Sequence, residues 1–237
     1  MRFYRKARFL WVYPLAVWLV LTAHTSEGSL RTGLVIILCG EIIRLWANGY
    51  VGHVKVNWTE GGPKIGRLIT AGPYAFVRHP LYFGTFLVGL GFCVIVGNMW
   101  LGVVALGGFV LLYPRKMTEE EATILHEWGE GFARYHRAVP RWLPLRGRYP
   151  HREGAWSWQG IAASKELKTV AWVGVAVIGL YFREELLQRR EPLLGPHTLK
   201  HALLLALMIL LVLIDVLSEL LHRARRTQPR PSRLPAT

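Results

Sequence analysis

The sequence predicts an all-α, multi-pass transmembrane protein of about six spans, with a cytoplasmic amphipathic helix after the fourth. Two observations carry this. Six stretches are apolar all round, with neither the alternation of a half-buried strand nor the stripe of an amphipathic helix, and each approaches the ~20 residues needed to cross hydrocarbon. Lys and Arg are also partitioned: with both termini cytoplasmic, 23 of the 29 fall in inner segments and 5 in outer ones, as the positive-inside rule requires. The formal charge of +14 is thereby accounted for by membrane orientation and attraction to anionic head groups, so no nucleic-acid partner is expected.

The first span, residues 9–23, follows the basic start MRFYRKAR. A signal peptide has the same layout, but "AHTSEG" is a poor small-residue cleavage site, so an uncleaved helix is expected. The second span covers 33–47. The third (81–97) and fourth (99–114) are separated only by the turn "GNM", which dictates an antiparallel hairpin whose glycines Gly84, Gly89, Gly91, Gly97, Gly102, Gly107 and Gly108 permit close helix approach. Thr118, with Glu121 three residues on, reads as a capping box opening the cytoplasmic helix. Phe132 and Tyr135 extend its three-to-four periodicity onto an apolar partner. The first 148 residues form a four-span core, 149–165 a polar linker, 166–222 a two-span extension with spans at 167–182 and 199–221, and 223–237 a basic tail. Within that extension Asp215 and His201 are the polar residues that stand out. Cys39 and Cys93 lie in apolar spans without CxxC spacing, so neither a disulfide framework nor a zinc site is expected. "NWT" at 57–59 fits a glycosylation pattern, but an inner loop never meets that machinery.

Three polar clusters need explaining, because a charge in hydrocarbon costs roughly 2.5–3.5 kcal/mol on insertion scales. In "GEIIR", Glu41 and Arg44 share a helical face inside the second span; an ion pair would lower the cost, and intramembrane charge also marks functional sites. In "GPYAFVRHPLYFGTF", Gly72 and Pro73 make a turn, and Pro80 pushes His79 out of helical geometry. Arg78 and His79 therefore sit at a helix start, where free N–H groups and the dipole favour an anion; snorkelling toward head groups is the alternative. In the third cluster, residues 116–144, Glu120 and Glu127 share a face, and acids and bases from separate segments meet on the inner side.

These residues carry a resemblance. "RLWANGYVGHVKVN…LITAGPYAFVRHPLY", followed by "EEATILHEWGEGFARYHRAVPRWLP", resembles the isoprenylcysteine carboxyl methyltransferase family, relatives of the phospholipid N-methyltransferases, and is similar to its bacterial branch in particular; it covers about residues 35–145. The resemblance implies a pocket for S-adenosylmethionine at the cytoplasmic side and a lipidic or prenylated acceptor entering from the bilayer. It assigns Tyr74, Arg78, His79, Pro80, Tyr82, Glu120 and Glu121 to cofactor binding. Arg44, Tyr135 and Arg141 go to the acceptor, with Arg44 and Glu121 as the catalytic pair. Phe132 replaces a family tyrosine, and the family's arginine before the glutamate run falls at Arg115 or Lys116. Arg44 leans the reaction toward a carboxylate acceptor. An amine acceptor would first lose a proton, for which His79 or a glutamate is the candidate base. The rivals are phospholipid N-methylation and a non-catalytic lipid-binding or assembly protein; a transporter is disfavoured because the intramembrane charges do not recur in two halves.

Overall fold

The computed structural model describes residues 22–51, 56–59, 62–65, 68–164, 166–188 and 197–227. All but the end of the first expected span, and residues 228–237 of the basic tail, lie outside the described residues. The elements are α1 (Glu27–Val51), β1 (Val56–Thr59), β2 (Gly62–Ile65), a 3-10 turn (Gly72–Ala75), α2 (Pro80–Val96), α3 (Met99–Ala138), α4 (Trp158–Ala163), α5 (Glu166–Arg183), a π turn (Glu184–Gln188) and α6 (Thr198–Thr227). The all-helical expectation thus needs one amendment, an antiparallel hairpin pairing Val56 with Ile65 and Thr59 with Gly62. Two compact units are formed, one up to Leu167 and one from Lys168.

α1 starts on a reciprocal cap in which Ser26 N donates to Ser29 Oγ at 2.9 Å and Ser29 N donates to Ser26 Oγ at 3.0 Å, satisfying N–H groups that a helix start leaves free. α1 then runs against α2 along a seam of paired glycines. A Cβ on Gly33 would lie 2.5 Å from the Gly91 carbonyl oxygen, and one on Gly40 would lie 2.7 Å from that of Gly84. Both pairs repeat after seven residues, so two backbones touch where side chains would hold them apart. Of the glycines expected to serve the hairpin between the third and fourth spans, Gly84 and Gly91 serve this other interface. A Cβ on Gly89, Gly107 or Gly108 would meet nothing within 4 Å.

α1 and residues Thr198–Leu217 of α6 are long and apolar enough to cross a membrane, and α2 is a shorter apolar helix. α1 leaves Val35, Leu38 and Ile42 exposed, and α6 leaves Leu199, Leu203 and Leu213 exposed. Apolar surface of this extent calls for lipid or a partner. The hairpin between α2 and α3 is closed by Gly97, whose φ of 68° ends α2 in the left-handed conformation.

α3 corrects two expectations. Thr118 does not cap a new helix: α3 runs straight through it, carrying Pro114 inside, and the Thr118 hydroxyl donates to the Pro114 carbonyl at 2.9 Å. Nor does the helical periodicity continue unbroken to Tyr135, since Gly129 (φ 49°, ψ −125°) turns the chain out of helical geometry. A side chain rarely adopts that φ. Beyond it, Phe132, Tyr135 and Val139 form a buried cluster packed against Leu68, Ile124, Trp128 and Tyr149. Residues 149–164 of the stretch expected as a linker belong to the first unit and bond back to its earlier segments: Tyr149 N donates to Ala75 O at 2.9 Å, Thr70 Oγ1 to His151 O at 2.8 Å and Ser157 N to Gly49 O at 2.9 Å.

Candidate functional site

The reversal at Gly129 lays the end of α3 against the segment that precedes α2. Arg78 N donates to Pro140 O at 2.9 Å, Arg78 Nη1 to His136 O at 2.6 Å and the Tyr135 hydroxyl to Tyr74 O at 2.8 Å. A cation at the carbonyl end of a helix is electrostatically favoured. Pro80 opens α2 as its first residue and is fully buried, while His79 just before it has φ −124° and ψ 61°. The expected break thus aims Arg78 and His79 inward.

They converge on Glu121, which is 6% exposed. His79 Nε2 lies 2.9 Å from Glu121 Oε1 and Arg78 Nε 3.2 Å from the same oxygen. Arg141 reaches the carboxylate with both Nε, at 3.2 Å, and Nη2, a two-pronged grip. His136 Nε2 stands 3.5 Å from Glu121 Oε2. Burial pushes the Glu121 carboxyl upward, but the bonds from His79 and Arg141 and the charge of Arg78 outweigh it and bring its pKa from 4.5 down to about 2. An anion that acidic is a poor proton acceptor at neutral pH, so Glu121 acts as an anchor for cations. Burial pushes the Tyr74 and Tyr135 phenols up, reinforced by Glu120 and by Tyr74 respectively, so both stay protonated hydrogen-bond donors.

The three successive glutamates point three ways, as steps of about 100° on a helix require. Glu119 is exposed and pairs with exposed Arg115 at 3.4 Å, Glu120 accepts from the Tyr82 hydroxyl at 2.6 Å, and Glu121 faces the arginines. Lys116, and not Arg115, approaches this group, its Nζ standing 5.5 Å from the centre of the Tyr82 ring. Beside Glu121 is an open cavity of about 400 Å³ whose lining includes Leu125, Phe132, His136 and Arg141, within the size range of small-molecule sites.

Of the residues expected at the site, Arg78, His79, Glu121 and Arg141 meet directly. Tyr82 and Glu120 bond to each other, and Tyr74 and Tyr135 brace the turn. Arg44 is engaged elsewhere: its Nε donates to Glu166 Oε1 at 2.5 Å, and its Nη1 stands 3.9 Å from Glu41 Oε1. Its stem packs over Gly84, one turn along α2 from Pro80. Sequence reasoning missed Glu166 and His136, and left open whether Arg115 or Lys116 approaches the glutamates. His136 carried a signal, since it follows Tyr135 in the stretch already singled out; Glu166 carried none, being 122 residues from its partner.

Residues 33–126 match the isoprenylcysteine carboxyl methyltransferase family. The match includes Arg44, the Tyr74–Tyr82 segment and both site glutamates, and stops short of Tyr135, Arg141 and Glu166. The chain is 31% identical over 121 residues to the protein-S-isoprenylcysteine O-methyltransferase of Xenopus laevis, covering 48% of this chain and 40% of that protein. It is 32% identical over 118 residues to the human protein of the same name, with 48% and 40% covered. To the cobalt-zinc-cadmium resistance protein CzcN of Cupriavidus metallidurans it is 27% identical over 154 residues, 65% of this chain and 66% of that one. The chain therefore spans about two fifths of the length of the methyltransferases it matches. No solved structure matches.

Proposed function

From the match of residues 33–126 to the isoprenylcysteine carboxyl methyltransferase family, we propose that this chain is a membrane enzyme transferring a methyl group from S-adenosylmethionine to a lipidic or lipid-linked acceptor, with a carboxylate favoured. The observation that carries the reading is the buried Glu121 gripped by Arg78, His79 and Arg141 beside a cavity of about 400 Å³.

The residues fit that cofactor. Two guanidinium groups face one carboxylate: Arg78 Nε lies 3.2 Å from Glu121 Oε1 without a hydrogen bond to it, and Arg141, which lines the cavity, is the cation that the carboxylate of an amino-acid moiety would meet there. Glu120 lies outside that cavity's lining; steadied by the Tyr82 hydroxyl, it is the anion that the family resemblance offers to an ammonium group. Leu125 and Phe132 supply apolar walls. S-adenosylmethionine, when bound, brings a methyl group on a sulfonium, a donor that requires no covalent enzyme nucleophile. The chain's own work is then alignment and exclusion of water. Arg44 orients the acceptor carboxylate, which is ionised at neutral pH and needs no base. In this reading the protein crosses the bilayer about six times with both termini cytoplasmic.

Calorimetric titration of the detergent-solubilised chain with S-adenosylhomocysteine tests the site. Saturable binding that disappears in Arg78→Ala is expected; absence of binding to the wild-type chain, or equal binding to both, contradicts the proposal.

A further inference from the structure

The Arg44 cluster contains one carboxylate too many. Glu41, three residues earlier on α1, is buried beside the guanidinium, yet it lies at 3.9 Å and neither of its oxygens has a hydrogen-bond partner. The close contact, at 2.5 Å, belongs to Glu166, with side-chain exposures of only 13% for Arg44 and 11% for Glu166. Glu166 comes from the first turn of α5, outside the segment that matches the family, and Ser164 Oγ braces it by accepting from its backbone N–H at 3.2 Å. Two carboxyl groups thus stand around one buried guanidinium, only one of them in contact with it, and a pair serving structure alone has no need of the second.

We infer that Glu166 is a resident carboxylate holding the acceptor's place on Arg44, so that an acid acceptor binds by displacing it. The inference rests on the proposed role of Arg44 as the group that orients an acceptor carboxylate. Exchange leaves the charge around Arg44 unchanged, one carboxylate for another, whereas adding an acid to the occupied cluster would crowd three carboxylates onto one guanidinium. Glu166 thereby sets specificity. An uncharged acceptor end gains nothing from Arg44 that displaces Glu166, and an acid acceptor binds with an affinity reduced by the fraction of molecules in which Arg44 is occupied.

The test uses the full chain in detergent and two probes, S-farnesylcysteine with a free carboxylate and its methyl ester, titrated against wild type and Glu166→Gln. Arg44 keeps Glu41 at 3.9 Å in the variant, and glutamine retains the size of the side chain and an oxygen acceptor, so folding is expected to persist. The acid probe should bind Glu166→Gln about tenfold more tightly than wild type, with a lowered KM and unchanged kcat, while ester binding and S-adenosylhomocysteine binding stay the same. Unchanged or weaker acid binding in the folded variant overturns the inference, as does failure of both proteins to bind the acid. Loss of S-adenosylhomocysteine binding by wild type would instead overturn the proposed cofactor site and is read separately. Should Glu166→Gln fail to fold, Glu166→Asp, which withdraws the carboxylate by one methylene, is expected to tighten acid binding in the same direction by a smaller factor, and no tightening there also overturns the inference.

Discussion

Replacing Glu121 by Gln removes the anion on which Arg78, Arg141 and His79 converge while keeping its shape. Glu121 and Arg78 have side-chain exposures of 7% and 9%, so water compensates little for the loss. The lowering of the Glu121 pKa from 4.5 to about 2 corresponds to about 3 kcal/mol of net interaction favouring the ionised form. That agrees with the roughly 3–5 kcal/mol lost when one member of a buried ion pair is deleted. The folded pKa lies below the unfolded one, so this stability is fully present above pH 4.5 and is lost as pH falls through the folded pKa near 2. Equilibrium unfolding in mixed micelles, followed by tryptophan fluorescence between pH 7 and pH 2, is the assay. At pH 7 Glu121→Gln should unfold at least about 2 kcal/mol more easily than wild type, and the difference should shrink toward pH 2. A variant as stable as wild type at pH 7, or a gap independent of pH, would refute the assignment of Glu121 as the anchor of this centre.

Tyr82→Phe deletes the hydroxyl that donates to Glu120 at 2.6 Å; hydrogen bonds to charged groups contribute roughly 1.5–3 kcal/mol, and calorimetry should show S-adenosylhomocysteine affinity reduced at least about tenfold without loss of fold. Gly40→Val inserts side-chain atoms where even a Cβ would meet the Gly84 carbonyl oxygen at 2.7 Å, and overpacking of about 1–3 kcal/mol should appear as faster proteolysis and lowered unfolding resistance. Gly129→Ala meets no neighbour within 4 Å, so its cost is the backbone conformation at φ 49° alone, about 1–3 kcal/mol, measurable by the same unfolding assay.

What could be read from sequence follows the range of the interactions involved. The break before α2 was legible because Pro80 acts on its immediate neighbours, and the inward aim of Arg78 and His79 is its consequence. The Thr118 capping box misled because the same short pattern also fits a continuous helix in which threonine bonds back to the carbonyl four residues earlier; Pro114 did not end the helix. Gly129 lies in the sequence Trp-Gly-Glu-Gly, whose glycines were there to be read as a break, but the apolar periodicity resuming at Phe132 hid it. The glycine seam between α1 and α2 was half visible, since small residues announce close packing without naming the partner. Arg44 with Glu166 was illegible: nothing local in "KELK" distinguishes a buried partner from a solvated helix start. For the same reason the grip of Arg141 on Glu121, 20 residues apart across the Gly129 reversal, was not read: the family resemblance put Arg141 with the acceptor and Glu121 with the cofactor, and helical spacing does not join them.

The central claim is that Arg78 and the Glu121 centre hold a methyl donor beside a lipidic acceptor. Membranes containing the full chain, incubated with S-adenosylmethionine labelled in its methyl group, should transfer label into the lipid extract, and Arg78→Ala membranes with equal amounts of folded protein should transfer none. Equal labelling by both, or none with wild type across acid and amine lipid acceptors, would contradict it.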